Sequence, residues 1–108
     1  MAKPRNKKES TKNHPLVGSW VSGTEYGSTI EFVVSSHGTS FRVRAIDRYD
    51  DEVADVFEVN WDGQVLSFAT YWNSTGRFLR CRFDAVAKNE VSYTYTYTAN
   101  ETWHRKSA

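Results

Sequence analysis

The chain has a single cysteine, a single methionine and three histidines in 108 residues, and no apolar run long enough to cross a bilayer as a helix. One cysteine, Cys81, excludes an intrachain disulfide. The basic N-terminus has no apolar segment behind it and so does not read as a signal peptide. Both features point to a reducing, cytoplasmic setting. No segment carries a helical period long enough to matter, and no internal repeat is present. The motifs of catalysis are missing too: no nucleophile elbow, no phosphate-cradling glycine loop and no pair of histidines at metal-ligand spacing. A non-catalytic protein without a metal or cofactor is therefore expected. A chain this short is one domain with one modest core and little room for a large cavity.

Aromatic residues make up 15% of the chain, and they fall in short runs with Val, Ile and Thr, which is strand composition. Charge is uneven. The first 14 residues carry Lys3, Arg5, Lys7, Lys8 and Lys12 against Glu9, whereas the remainder carries nine basic and twelve acidic side chains. With nothing to bury against the entropy of ordering, residues 1–14 read as a disordered basic arm, and residues 15–108 as a single β-barrel domain.

Eight strands are expected: Leu16–Ser22, Ser28–Ser35, Thr39–Ile46, Ala54–Trp61, Gln64–Asn73, Arg77–Ala85, Glu90–Thr98 and Glu101–Lys106. Four of them alternate clearly with period 2, as half-buried antiparallel strands do. Asp62-Gly63 is a hairpin signal, because glycine tolerates the positive φ of a primed turn. Regular spacing and short loops argue for a meander, and an eight-stranded antiparallel up-and-down meander can close into a barrel and lose its edges. The inward set would comprise Trp20, Ile30, Phe32, Phe41, Val43, Leu66, Phe68, Leu79, Cys81, Phe83, Tyr93, Tyr95 and Trp103. Such a barrel either fills with its own side chains or holds one small ligand. A sandwich of the same strands would put many of the same residues inside.

Gly18-Ser19-Trp20, Gly27-Ser28-Thr29-Ile30, Trp61-Asp62-Gly63 and Trp103-His104-Arg105 resemble the motifs of the calycin-like group of small barrels: lipocalins, fatty-acid-binding proteins, avidins and nitrobindin-like proteins. The resemblance covers the chain from about Leu16 onward. It implies an eight-stranded barrel that binds a small molecule. It also implies a structural contact at the closed end, with the Arg105 guanidinium over the Trp20 indole and Trp103 in the last strand. The chain departs from the group in lacking the lipocalin C-terminal helix and the helical lid of fatty-acid-binding proteins. The polar set that avidins place around biotin cannot be assigned. Nitrobindin-like haem ligation needs a histidine, and His37 and His104 are the only candidates outside the arm.

Tyr93, Tyr95 and Tyr97 share one face of one strand. Facing inward, they are either a flat, hydroxyl-tipped ligand wall or ordinary core, and Tyr71 and Trp72 can be read in the same two ways. Arg42 and Arg44, and Arg80 and Arg82, point away from apolar sets and should face solvent, paired with Glu31, Glu58 and Asp84. Asp47, Asp50, Asp51, Glu52 and Asp55 read as a solvated acidic loop, since their spacing is not that of a calcium loop. Cys81 lies between Leu79 and Phe83 and should be a buried, inert thiol. The expectation is thus a small apolar or aromatic ligand bound by Phe68, Trp72, Tyr93, Tyr95 and Tyr97, with Arg44 or Arg80 as an anion partner should either turn inward. A homodimer with a filled core is the alternative partner arrangement, and a nucleic-acid-binding barrel using the basic arm is the third. The arginine pairs sit on strands that are not neighbours in a meander, which argues against nucleic acid, and nothing calls for a membrane.

Overall fold

The computed structural model describes residues 9–24, 27–98 and 100–107. It is all-β, with eight strands: β1 (Gly18–Val21), β2 (Ile30–His37), β3 (Ser40–Asp47), β4 (Glu52–Val53), β5 (Asp55–Trp61), β6 (Val65–Trp72), β7 (Arg77–Ala87) and β8 (Glu90–Thr98). They form two four-stranded antiparallel meanders, ordered β1-β2-β3-β4 and β5-β6-β7-β8. The chain passes from one sheet to the other at Ala54, which is buried and donates its backbone N–H to the Ala45 carbonyl at 3.0 Å.

The alternation in the sequence sets the inner faces. On β2 and β3, Phe32 lies opposite Ala45 and Val34 opposite Val43. On β6 and β7, Leu66 lies opposite Phe83, Phe68 opposite Cys81 and Thr70 opposite Leu79. On β8, Tyr93, Tyr95 and Tyr97 lie opposite Phe83, Cys81 and Leu79, so the tyrosine row faces inward. The sheets meet through aromatic edges. The Phe32 ring stands 5.4 Å from Phe68, 5.4 Å from Phe83 and 5.2 Å from Tyr93, centroid to centroid. Two irregularities interrupt the pairing, one between Phe57 and Asn60, where Glu58 has φ 53°, and one between Ala85 and Ala87. The Asp62-Gly63 turn forms as the dipeptide requires, with Gly63 at φ 98°. Asp62 Oδ1 accepts the N–H groups of Gln64 and Val65, and these bonds hold its carboxyl below the usual aspartate range.

Four expectations meet a different structure. Glu101–Lys106 forms no strand, and Trp103 is 85% exposed, its Nε1 donating to Glu101 Oε2 only two residues away. Four of those six side chains are charged or titratable and only Trp103 is large and apolar, so the segment offers no face to bury. Arg105 is exposed and does not cover Trp20; the cation–ring contacts among the described residues are Arg77 over Tyr97 and Arg80 over Phe78. Hydrogen bonding joins neither β4 to β5 nor β1 to β8, so the described strands form two sheets rather than one closed barrel.

The fourth difference concerns the arm, whose residues 1–8 lie outside the described residues. Thr11 is buried, its backbone N–H bonded to the Gly38 carbonyl, and its hydroxyl donates to the Ser40 carbonyl at 2.5 Å while standing 2.8 Å from Ser36 Oγ. The His14 imidazole packs edgewise on Phe41 and Trp61, and its Nδ1 accepts the Leu16 N–H. Leu16 is fully buried, and its carbonyl receives Trp20 Nε1 at 2.9 Å. Thr11–Leu16 therefore seals one end of the space between the sheets. Hydroxyl and backbone bonds do this, which is why composition gave no hint of it.

On the outer face, the Arg48 Nε–H donates to Glu31 Oε1 at 2.7 Å. This bond, together with a further one from Ser19, holds the Glu31 carboxyl below its ordinary value. A carboxylate lowered in the folded state stabilises above its unfolded pKa and loses that contribution as pH falls through the folded pKa. Glu31→Gln should therefore flatten the acid limb of a stability-versus-pH curve below pH ~4.5 and leave the neutral limb nearly parallel to wild type, as read by urea midpoints across pH. In the interior, Phe83 is 1% exposed and touches Phe32, Phe68 and Tyr93. Phe83→Ala should cost about 3–5 kcal/mol of unfolding free energy, measured by chemical denaturation.

Candidate functional site

Opposite the sealed end, the sheets enclose a cleft of about 650 Å³ between β1–β2 and β7–β8. It exists because β1 and β8 are outer edges of their sheets and none of the described strands joins them. Aromatic and aliphatic side chains form its walls: Trp20 and Ile30 from one sheet, Trp72, Leu79, Tyr93 and Tyr95 from the other, with Phe32 and Phe83 beneath. Its mouth is polar. Ser28, Thr29, Asp47 and Glu52 line it on one sheet, and Ser74, Thr75 and Arg77 on the other.

The mouth is built by local chemistry. Asp47 ends β3 on the inner face, because it continues the Phe41, Val43, Ala45 alternation. Its Oδ1 accepts the Thr29 hydroxyl at 2.6 Å and the Tyr49 backbone N–H at 3.0 Å. Glu52 pairs with Asp47 across β3–β4, and both of its oxygens are taken by Ser74: Oε1 by the hydroxyl at 2.6 Å and Oε2 by the backbone N–H at 3.0 Å. That contact ties the β6–β7 turn to the other sheet. Arg77 opens β7 opposite Trp72 and continues inward through Leu79, Cys81 and Phe83. Its guanidinium carbon lies 5.4 Å from the Tyr97 ring centroid.

The residues expected at the site divide. Trp72, Tyr93 and Tyr95 line the cleft, and Trp72 is buried while Tyr95 is 53% exposed. Tyr97 sits beside the mouth beneath Arg77. Phe68 is 3% exposed and belongs to the packed core between the sheets. Arg44 and Arg80 lie on the outer faces of β3 and β7, and Arg80 is paired with Glu58 at 2.9 Å. The outer pairings Arg80–Glu58, Arg82–Asp84 and Arg48–Glu31 take up the acids expected for that face. Among the described residues the acidic loop converges no set of three metal ligands. Asp50 Oδ1 accepts the Glu52 N–H within the loop, whereas Glu52 and Asp55 accept bonds from Ser74 and Asn73 of the β6–β7 turn. Arg77, Asp47, Glu52 and Ile30 also line the cleft and were not among the expected site residues. Arg77 and Asp47 were legible by extending the alternation one step to the strand ends.

Cys81 lies under the tyrosine row. The Tyr93 hydroxyl donates to its Sγ at 3.4 Å. Burial pushes the Cys81 thiol upward, and burial followed by the Cys81 contact pushes the Tyr93 phenol upward too. Both shifts favour the neutral thiol and the neutral phenol near pH 7. No helix among the described residues is long and apolar enough to cross a membrane. Comparison with protein-family models, with curated proteins and with solved structures found no match to this chain.

A buried thiol with a raised pKa presents little thiolate. Native protein at pH 8 should react with an aromatic disulfide reagent at least about tenfold more slowly than the urea-unfolded chain. Equal rates would place Cys81 outside the core.

Proposed function

We propose that the cleft binds one small aromatic or apolar molecule without catalysis, in the manner of calycin-like barrels. One observation carries this: the sealed half of the interior is filled, whereas the open half keeps aromatic walls exposed around about 650 Å³. Monomers that need no partner bury such rings; a concave apolar surface with a few polar groups at its rim is the usual form of a small-molecule site. Closure belongs to the same proposal, since β1 and β8 are the free edges a calycin-like barrel would join. The cleft is then that barrel's interior opened along the β1–β8 seam, with a second break between β4 and β5.

A second arrangement has its own support. β8 is an edge strand of nine residues with no charge from Val91 to Thr98 and none of the prolines or lysines that blunt exposed edges. A second copy of the chain pairing there would give a dimer.

Native mass spectrometry of freshly purified protein separates the two. A monomer carrying a reproducible extra mass is the expected result, and a clean dimer would favour the edge. Covering about 100 Å² of aromatic wall is worth roughly 2.5 kcal/mol. Tyr95 is more than half exposed, so Tyr95→Ala should weaken binding of the retained ligand about tenfold, or about 1.4 kcal/mol, by calorimetry. The same change should destabilise the fold far less than Phe83→Ala. A Tyr95→Ala protein that binds with unchanged affinity would remove the cleft as the site.

A further inference from the structure

We propose that the cleft takes a zwitterion of the aromatic α-amino-acid type, with the ring between the sheets, the carboxylate on Arg77 and the ammonium on Asp47. This rests on the cleft being a binding site and specifies its head-group chemistry.

Three charged side chains line the mouth, and their hydrogen-bonding capacity is unequal. Glu52 has both oxygens engaged by Ser74. Asp47 has two donors on Oδ1 and none on Oδ2 among the described residues. Arg77 has no carboxylate within 4 Å among the described residues, and its contact is with the Tyr97 ring. A guanidinium that rests its face on a ring leaves the edge of its N–H fork free, and that fork matches a planar carboxylate. Arg77 stands on the β5–β8 sheet and Asp47 on the β1–β4 sheet, so the two free valences of opposite sign face the cleft from opposite walls.

Charge balance then selects the ligand. The mouth carries two carboxylates and one guanidinium, and in an aqueous mouth their influence falls only as the inverse of distance. A bare anion on Arg77 would be opposed by Asp47 and Glu52 together. A bare amine on Asp47 would be opposed by Arg77, though drawn by Glu52, and it would leave the guanidinium without a carboxylate. A ligand carrying both charges meets each with its opposite, while Trp20, Trp72, Tyr93 and Tyr95 take an aromatic body.

Calorimetric titration of the purified full chain at low ionic strength, with four probes sharing one phenyl body, tests this. The probes are L-phenylalanine (both charges), 3-phenylpropionate (anion), 2-phenylethylamine (cation) and 3-phenylpropan-1-ol (neutral). Phenylalanine should bind about tenfold more tightly than each of the others. Arg77→Met should weaken phenylalanine about tenfold without weakening 2-phenylethylamine. Asp47→Asn, which keeps the Oδ1 acceptor for Thr29 and Tyr49, should weaken phenylalanine without weakening 3-phenylpropionate. If the alcohol matches phenylalanine, or if phenylalanine ignores both substitutions, the head-group assignment is overturned while the cleft stands. If none of the four probes binds, both fall.

Discussion

Phe32 holds the two sheets together at their centre. Its ring reaches from β2 to Phe68, Phe83 and Tyr93, one residue on each of β6, β7 and β8, at centroid separations of 5.2–5.4 Å. Edge-to-face and tilted contacts of this kind direct positive ring edges at negative faces and contribute about 0.5–1.5 kcal/mol each beyond area burial. No ladder of hydrogen bonds joins the sheets along the β1–β8 seam, so side-chain packing around this ring sets their separation there. Everything on either side of Phe32 follows from what the sequence offers at each end.

At one end the chain supplies Thr11, His14 and Leu16, which close over Phe41 and Trp61. At the other it supplies serines, threonines and three charges, which neither fill space nor tolerate burial without partners. Asp47 and Glu52 find hydroxyl and backbone donors and stay at the rim. Among the described residues, Arg77 finds the Tyr97 ring and no carboxylate. The result is a space sealed below and wet above, with aromatic walls between. Cys81 and Thr70 sit under those walls as quiet packing, and the Tyr93 hydroxyl that bonds Cys81 keeps the tyrosine row anchored at its deepest member.

Strand composition and turn signals made seven of the strands legible, and period-2 alternation, clear in four, helped to set the inward faces of Phe32, Phe41, Phe68, Phe83 and the tyrosine row. It failed where the physics is not periodic. Glu101–Lys106 carries an aromatic but no apolar face, so a strand assigned from Trp103 and its neighbours does not form. The division into two sheets hinges on Ala54 and on the two-residue β4, and neither has a local signature. The ordered part of the arm is held by hydroxyl and imidazole contacts across sequence separations of 25 residues and more, beyond the reach of any window. At the site, the same alternation turns Arg44 and Arg80 outward and Arg77 inward. The arginine facing the cleft could thus be read from the strand's own period, whereas Glu52 depends on a contact with a turn in the other sheet.

The openness of the cleft follows from strand lengths. β1 has four residues and β8 has nine, which at about 3.3 Å per residue means roughly 13 Å against roughly 30 Å of edge. Even side by side, β1 could pair with less than half of β8. Residues of β8 left without an opposing strand keep their inward side chains in water, and exposure rises along the row from Tyr93 at 36% to Tyr95 at 53% and Tyr97 at 57%. A sequence selected only to fill its interior would place small or polar residues on that stretch, because exposed rings add nothing to stability there. It places three tyrosines: Tyr93 and Tyr95 line the cleft, and Tyr97 stands at its mouth beside Arg77, which has no carboxylate within 4 Å among the described residues. The half-exposed rings of Tyr95 and Tyr97, set beside a guanidinium with no carboxylate within 4 Å among the described residues, are what the proposed binding site would require of its walls.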